Sequence, residues 1–464
     1  MTTQHQKVAV LTADVVADAM AGPAIRAWHL AEQLAAEHDV RLASTKRCEL
    51  THPAFEASFA DAAAVAALVE WCDVIVFQGW VMRDHPGIAE SGKVVVVDAY
   101  DPMHLEQLEQ ARDLGDRRWS SAVIGATVVM NQQLTRADYV ICAREEQRML
   151  WIGQLAALGR INTEIYATDR SYRSFVDVVP FGLPDEVPVA TVPAMRGVLD
   201  GIGPDDVVVL WNGGVYNWFD PGTLIEAVAS LVGELPQLRL VFMGMTHPNP
   251  DVPAMAVAAD AVTLSDTLGL TDRHVFFNTT WVPFDRRHEF LAEADVMVST
   301  HLPGLETDFA FRTRVLDAMW AGLPMVLTEG GPLSNLVERE EMGLIVPPGD
   351  VAALADALRR LVVEPGLADA TRARVTEVAR SFRWSVVAEP LLAFCRAPHR
   401  AADAVVEGAV VDRRYELGIA HDMRHPWLRR IVRVVFLVDQ RGVRSLVDLV
   451  ARRLRPKGTD QTRT

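Results

Sequence analysis

Short runs of β-branched and apolar residues alternate with helix-like segments along most of the chain, and that alternation admits few folds. Lys7–Ala13 (KVAVLTA), 39–45, 73–79, 93–100, 138–143 and 176–182 form a first set of strand candidates. A second set comprises 207–214, 238–244, 274–280, 294–300, 324–331 and 343–350. Strand and helix in strict turn predict parallel sheets built from βαβ units. The strand candidates are apolar throughout and do not alternate, so both faces of each sheet are expected to be covered. Between the sets lies DEVPVATVPAMRGVLDGIGPDD (185–206), whose Pro, Gly and Asp read as a linker.

The expected architecture is therefore α/β, with two doubly wound Rossmann-like domains facing a cleft and a helical extension after them. The 464 residues exceed what one core usually supports, which also argues for two domains. The boundaries read from the sequence are 1–190 and 191–385, with a return helix and a basic amphipathic tail over 386–464. In such a pair the ligand is expected in the cleft, outside the carboxyl ends of the strands.

Charge and cysteine content narrow the class. A formal charge of −16 argues against nucleic-acid binding, which needs a basic footprint. Cys48, Cys72, Cys142 and Cys395 lie far apart, as reduced thiols of a cytoplasmic protein would. The amino terminus lacks the charged and apolar regions of a signal peptide, and no uncharged apolar stretch reaches membrane-spanning length. The tail is the exception in charge, with 13 Lys+Arg against 6 Asp+Glu over residues 411–464. Its segment 425–457 spaces arginines and apolar residues helically. It could lie on an anionic membrane surface, at the inner face of the membrane, or pack as terminal helices on the acidic body.

The candidate site residues cluster at strand ends. Gly22 and Pro23 follow the first strand and open a helix, with Arg26 one turn in. A glycine there allows close backbone approach, and the helix terminus offers free N–H groups, although an ordinary βα turn reads the same way. VVVLWN runs through Asn212 into Gly213 and Gly214, which suits a backbone that must approach a phosphate. Gly244 ends another strand, with His247 in the loop after it. VVVVDAYD places Asp98, Tyr100 and Asp101 at a strand end of the first set. There a carboxylate can polarise an acceptor hydroxyl, though the Asp-Pro turn explains Asp101 equally well.

LETDFAFRTRVLDAMWAGLPMV (305–326) crowds charges of both signs into the entry of an apolar helix. At 100° per residue, Val315, Leu316, Met319, Trp320 and Leu323 form its core stripe, while Arg314 and Asp317 fall opposite, where they can pair with each other. Arg312, just before the first turn, points to whatever occupies the cleft, and a guanidinium there suits a diphosphate. Glu306 and Asp308 are expected in the preceding loop, where carboxylates would accept hydrogen bonds from sugar hydroxyls. The chain has no Asp-x-Asp, the usual ligand set of a metal-bridged diphosphate site, and no GxSxG, GxGxxG or P-loop. No metal site and no cofactor are expected.

The order of "LWNGG", "GTLIEAV", "LRLVFMG", "FLAEADVMVST", "LDAMWAGLPMVLTEGG" and "GLIVPPGDVAALADAL", preceded by the Gly22–Arg26 turn, "ADYVICARE" and "VDVVPFGLP", resembles the GT-B glycosyltransferases of family 4, over roughly residues 7–395. The resemblance implies transfer of a sugar from a nucleotide-diphosphate sugar to a hydroxyl acceptor, with retained configuration and without a metal. The acceptor would be a glycan, a lipid-linked or a small molecule, and the donor would sit on the carboxy-terminal domain. The family's paired glutamates lie eight positions apart. The ribose member matches Asp317, but eight residues earlier stands Phe309, leaving Glu306 or Asp308 as stand-ins for the sugar contact. The family's two diphosphate cations are also absent, their places reading Val215-Tyr216 and Asp220-Pro221. Arg312, with Arg314, would supply that charge from the other side. These departures leave a second reading, a catalytically silent protein that binds nucleotide sugar or a partner enzyme.

Overall fold

The computed structural model describes residues 5–245, 255–280, 282–283, 286–309 and 311–404. His247 and the tail segment 425–457 lie outside the described residues. Two parallel sheets organise the chain. The first contains β1 (Lys7–Thr12), β2 (Asp39–Ser44), β3 (Glu56–Phe59), β4 (Val74–Gln78), β5 (Val94–Asp98), β6 (Tyr139–Cys142) and β7 (Val176–Val178), in the order β3-β2-β1-β4-β5-β6-β7. The second contains β8 (Val207–Trp211), β9 (Leu238–Phe242), β10 (Val275–Phe277), β11 (Val296–Ser299), β12 (Met325–Thr328) and β13 (Gly343–Val346), ordered β10-β9-β8-β11-β12-β13. Each order reverses once, between β1 and β4 and between β8 and β11. The crevices outside the carboxyl ends of those strands are where doubly wound folds hold ligands.

The apolar runs become strands because both faces of each sheet are covered. Every residue of β4, β6, β11 and β12 is buried, as a parallel sheet between helical layers requires. The helix Gly22–Ala35 buries Ala24, Ala27, Leu30, Ala31 and Leu34 against the first sheet. One apolar layer continues from this domain into the second through Phe181, Leu183 and Trp384.

Two features depart from the sequence reading. Glu56–Phe59 pairs as an edge strand on β2, although EASF carries no β-branched residue, and its half-exposed positions explain why no apolar run announced it. Leu305–Phe309, expected as loop, forms a short helix, with the Asp308 N–H donating to Gly304 O and Thr307 Oγ1 donating to Leu302 O.

The chain crosses between the domains twice. Leu183 and Trp384 exchange backbone hydrogen bonds across the two crossings, at 2.7 Å from Leu183 N to Phe382 O and 2.9 Å from Trp384 N to Leu183 O. Beyond the second crossing the helices Trp384–Val387 and Glu389–Arg396 return to the first domain. Phe394 stacks on Tyr139 with ring centroids 4.2 Å apart, and Asp403 forms a buried fork with Arg160 at 2.6 and 2.8 Å. Gly182 is needed where the crossings touch, because a Cβ there would lie 2.4 Å from the Trp384 ring. No helix among the described residues is long and apolar enough to cross a membrane.

Candidate active site

A cleft of about 640 Å³ separates the two sheets, lined by residues of both domains. Its first-domain wall is built from strand ends: Thr12 of β1, Gln78 of β4, and Asp98, Tyr100 and Asp101 at the end of β5, with Gly22 opening the helix above. Its second-domain wall carries Asn212, Gly213 and Gly214 after β8, Gly244 after β9, and Glu306, Arg312, Arg314 and Asp317.

Arg312 stands just outside the helix Thr313–Trp320, with φ −78° and ψ 86°. Its guanidinium grips Glu306 with two parallel bonds, Nη1 to Oε1 at 2.8 Å and Nη2 to Oε2 at 2.5 Å. It also lies over the Phe219 ring, 5.0 Å from the centroid. Its Nε is buried without a partner. The two residues read separately from the sequence thus form one ion pair. Asp308, by contrast, is exposed and does not line the cleft; its carbonyl accepts a bond from Arg144 of the first domain.

Arg314 and Asp317 do not pair as their spacing allows. Arg314 is buried, stacks 3.7 Å from the Phe219 centroid, and donates from Nη2 to Gly214 O at 2.7 Å. Burial and the neighbouring Arg312 lower it to about 9. It props the glycine turn from behind, and its Nη1 is left without a partner. Gly213 holds φ +109°, a region that suits glycine. Asp317 instead faces Arg287 at 3.3 Å and the Asn212 amide at 3.5 Å. The positions where the resemblance expects cations are structural here. Tyr216 folds back under Gly214, where a Cβ would meet its hydroxyl at 2.4 Å, and Asp220 caps the helix Pro221–Leu231 through the Thr223 N–H at 3.1 Å.

On the first-domain side, Arg26 lies beneath the cleft and does not line it. It holds Asp98 in a buried fork at 2.7 and 2.9 Å and donates to Val179 O and Pro180 O. Asp101 is hydrogen-bonded side chain to side chain with Glu106, and Glu306 faces both from the second domain. Burial raises both carboxyls of the pair, Asp101 to about 6 and Glu106 well above its usual range, so that the two share a proton. Among the described residues, no group of three His, Cys, Asp or Glu side chains is placed to hold a metal ion.

The raised pair has a consequence for stability. Between pH ~4, where an unfolded carboxyl loses its proton, and the raised folded values, the native state binds more protons than the unfolded chain. Stability from this pair is therefore complete at low pH and declines as pH rises through about 6. Glu106→Gln keeps the donor to Asp101 and removes the titration. It should gain about 1–2 kcal/mol relative to the parent at pH 8 and nothing at pH 4.5. Calorimetric melts at the two pH values check this, and an equal difference at both would overturn it.

Glu106, Arg287, Gln78 and Phe219 were not anticipated. Glu106 and Arg287 belong to helices whose charges look like ordinary solvent faces in the sequence, and only the fold aims them at the cleft.

Residues 206–364 match the family model for glycosyl transferases group 1. That match spans the second sheet, from the start of β8 to beyond β13. A D-inositol 3-phosphate glycosyltransferase from Actinosynnema mirum is 28% identical over 193 residues, which is 42% of this chain and 45% of that protein. The chain thus spans about half the length of the curated relatives it matches. Among solved structures, sucrose-phosphate synthase from Thermosynechococcus elongatus superposes with a TM-score of 0.59 at 20% identity, covering 83% of this chain and 97% of that one. Anabaena Alr3699/HepE, solved with UDP and glucose, gives 0.60 at 15% identity, covering 85% and 100%. These structures show the fold: the two-sheet architecture of this chain is the GT-B fold.

Proposed function

We propose that the protein transfers a sugar from a nucleotide-diphosphate sugar to a hydroxyl acceptor, with retained configuration and without a metal. The observation that carries this reading is one cleft with two unlike walls. The second domain presents the Asn212–Gly214 turn, Asp317 and Arg312, while the first presents Asp98, Tyr100 and Asp101. The match to group 1 glycosyltransferases over the second domain supports donor binding there.

In this reading the glycine turn brings backbone close to the diphosphate, and Arg314 holds that turn in place. Asp317, steadied by Arg287, accepts the ribose hydroxyls. Arg312 supplies the cation that stabilises the leaving diphosphate, since Tyr216 and Asp220 are committed to structure. Glu306 and Asp101 border the reacting hydroxyls.

The test starts from UDP, the nucleotide in the Anabaena structure. Titration of the protein with UDP, GDP and dTDP in the presence of a chelator should give saturable binding of one of them. Turnover of the corresponding sugar donors should then release the matching diphosphate, and product NMR should report the anomer. Failure of all three nucleotides to bind would sink the proposal.

A further inference from the structure

The first-domain wall of the cleft is acidic where it is deep and basic only where it is exposed. Its two cations, Lys46 and Arg83, are exposed, and Arg83 is paired with Asp84 at 2.7 Å. Beneath them, Asp98 is spent on Arg26. Asp101 and Glu106 are left bonded to each other, and across the cleft the helix Leu305–Phe309, packed on the helix Met103–Gln110, adds Glu306. The guanidinium facing this group, Arg312, is held by Glu306 itself. Tyr100 and Tyr216 also lie within electrostatic reach of the pair, with Asp14 near both tyrosines and Arg314 near Tyr216.

A second, independent feature of the same wall asks for a hydrogen-bond donor. Gln78 is 4% exposed, and its amide nitrogen donates to Pro23 O at 2.5 Å and Thr12 Oγ1 at 3.1 Å. The Pro23 carbonyl can only accept, so the amide orientation is fixed, and Gln78 Oε1 remains a buried acceptor without a partner. A buried bare acceptor is costly unless a ligand donates to it.

We propose that the acceptor is an amine-bearing polyol, such as an amino sugar or aminocyclitol, with its ammonium beside Asp101 and Glu106 and a further donor reaching Gln78 Oε1. This deepens the glycosyltransferase reading and rests on it. An ammonium next to two carboxylates that share one proton favours loss of that proton, because the second negative charge then gains a countercharge. A phosphorylated acceptor would meet like charge on this wall.

The experiment measures binding of D-glucosamine, D-glucose and D-glucose 6-phosphate to the full chain saturated with UDP. Glucosamine should bind about tenfold tighter than glucose, with the phosphate weakest. Calorimetry in buffers of different ionisation enthalpy should show proton release with glucosamine alone. Glu106→Gln should erase the proton release, and Asp101→Asn with Glu106→Gln should bring glucosamine level with glucose, in proteins whose melting confirms folding. Equal affinities, a preference for the phosphate, or no saccharide binding by a protein that takes UDP would overturn the inference and leave the donor reading standing. Absence of UDP binding would instead remove the reading beneath it.

Discussion

Arg312→Ala is expected to lower donor turnover by about one to two decades, because a charge-assisted bond to the leaving diphosphate is worth roughly 1.5–3 kcal/mol. The free protein complicates the substitution, since Arg312 also neutralises Glu306, a residue 8% exposed. Breaking a buried pair from one side costs about 3–5 kcal/mol when the remaining charge finds no relief. Glu306 would then be left without its countercharge, facing the carboxyls of Asp101 and Glu106. The clean comparison is therefore Arg312→Ala with Glu306→Gln, which removes both charges together. Arg312→Lys should recover only part of the turnover, as an ammonium cannot make the two parallel bonds of the fork. Steady-state kinetics on the donor found in the nucleotide titration decide the matter. Turnover within twofold of the parent in the paired variant would place the leaving-group charge elsewhere.

The second large effect concerns stability. Asp98→Ala leaves the Arg26 guanidinium, which is 0% exposed, with two carbonyl acceptors and no countercharge. The expected loss is about 3–5 kcal/mol. For a domain of this size that corresponds to a fall in Tm of roughly 6–20 °C. Replacing both partners, Arg26→Met with Asp98→Leu, should restore much of it, because two apolar side chains leave nothing unpaired. Asp98 also borders the cleft, so the measurement separates two roles. A normal melt with lost turnover would mark its carboxylate as acceptor chemistry, whereas a lowered melt rescued by the apolar pair marks it as a strut under the strand ends.

How far the sequence carries can be judged from these same residues. The sheets were legible because parallel strands buried on both faces must be written as unbroken apolar runs. β3 was not, because an edge strand half in solvent needs no such run. At the site, the glycine turn and the crowded entry at 305–317 were visible as local oddities. Their pairing was not. Helical spacing offered Arg314 to Asp317, yet Arg314 is taken by the rings of Trp211 and Phe219, and Asp317 by Arg287, thirty positions away. Nothing local distinguishes Glu106 from a solvent-facing helix residue, since its partner Asp101 reaches it only across the Asp-Pro turn. Charges that pair across a fold leave no periodic trace, whereas burial does.

The double crossing between the domains bears on how the cleft can open. A single connecting segment would act as a swivel, free to twist about its own length. Two segments lying side by side and hydrogen-bonded at Leu183, Phe382 and Trp384 resist that twist and leave bending across the pair as the soft direction. The Trp384 ring wedged over Gly182 sits at that bend, and the helices beyond it are riveted to the first domain by Arg160 and Asp403. The cleft is thus hung like a door on paired hinges, a linkage that favours parting of the walls over twisting of the Arg312 wall against the Asp101 wall.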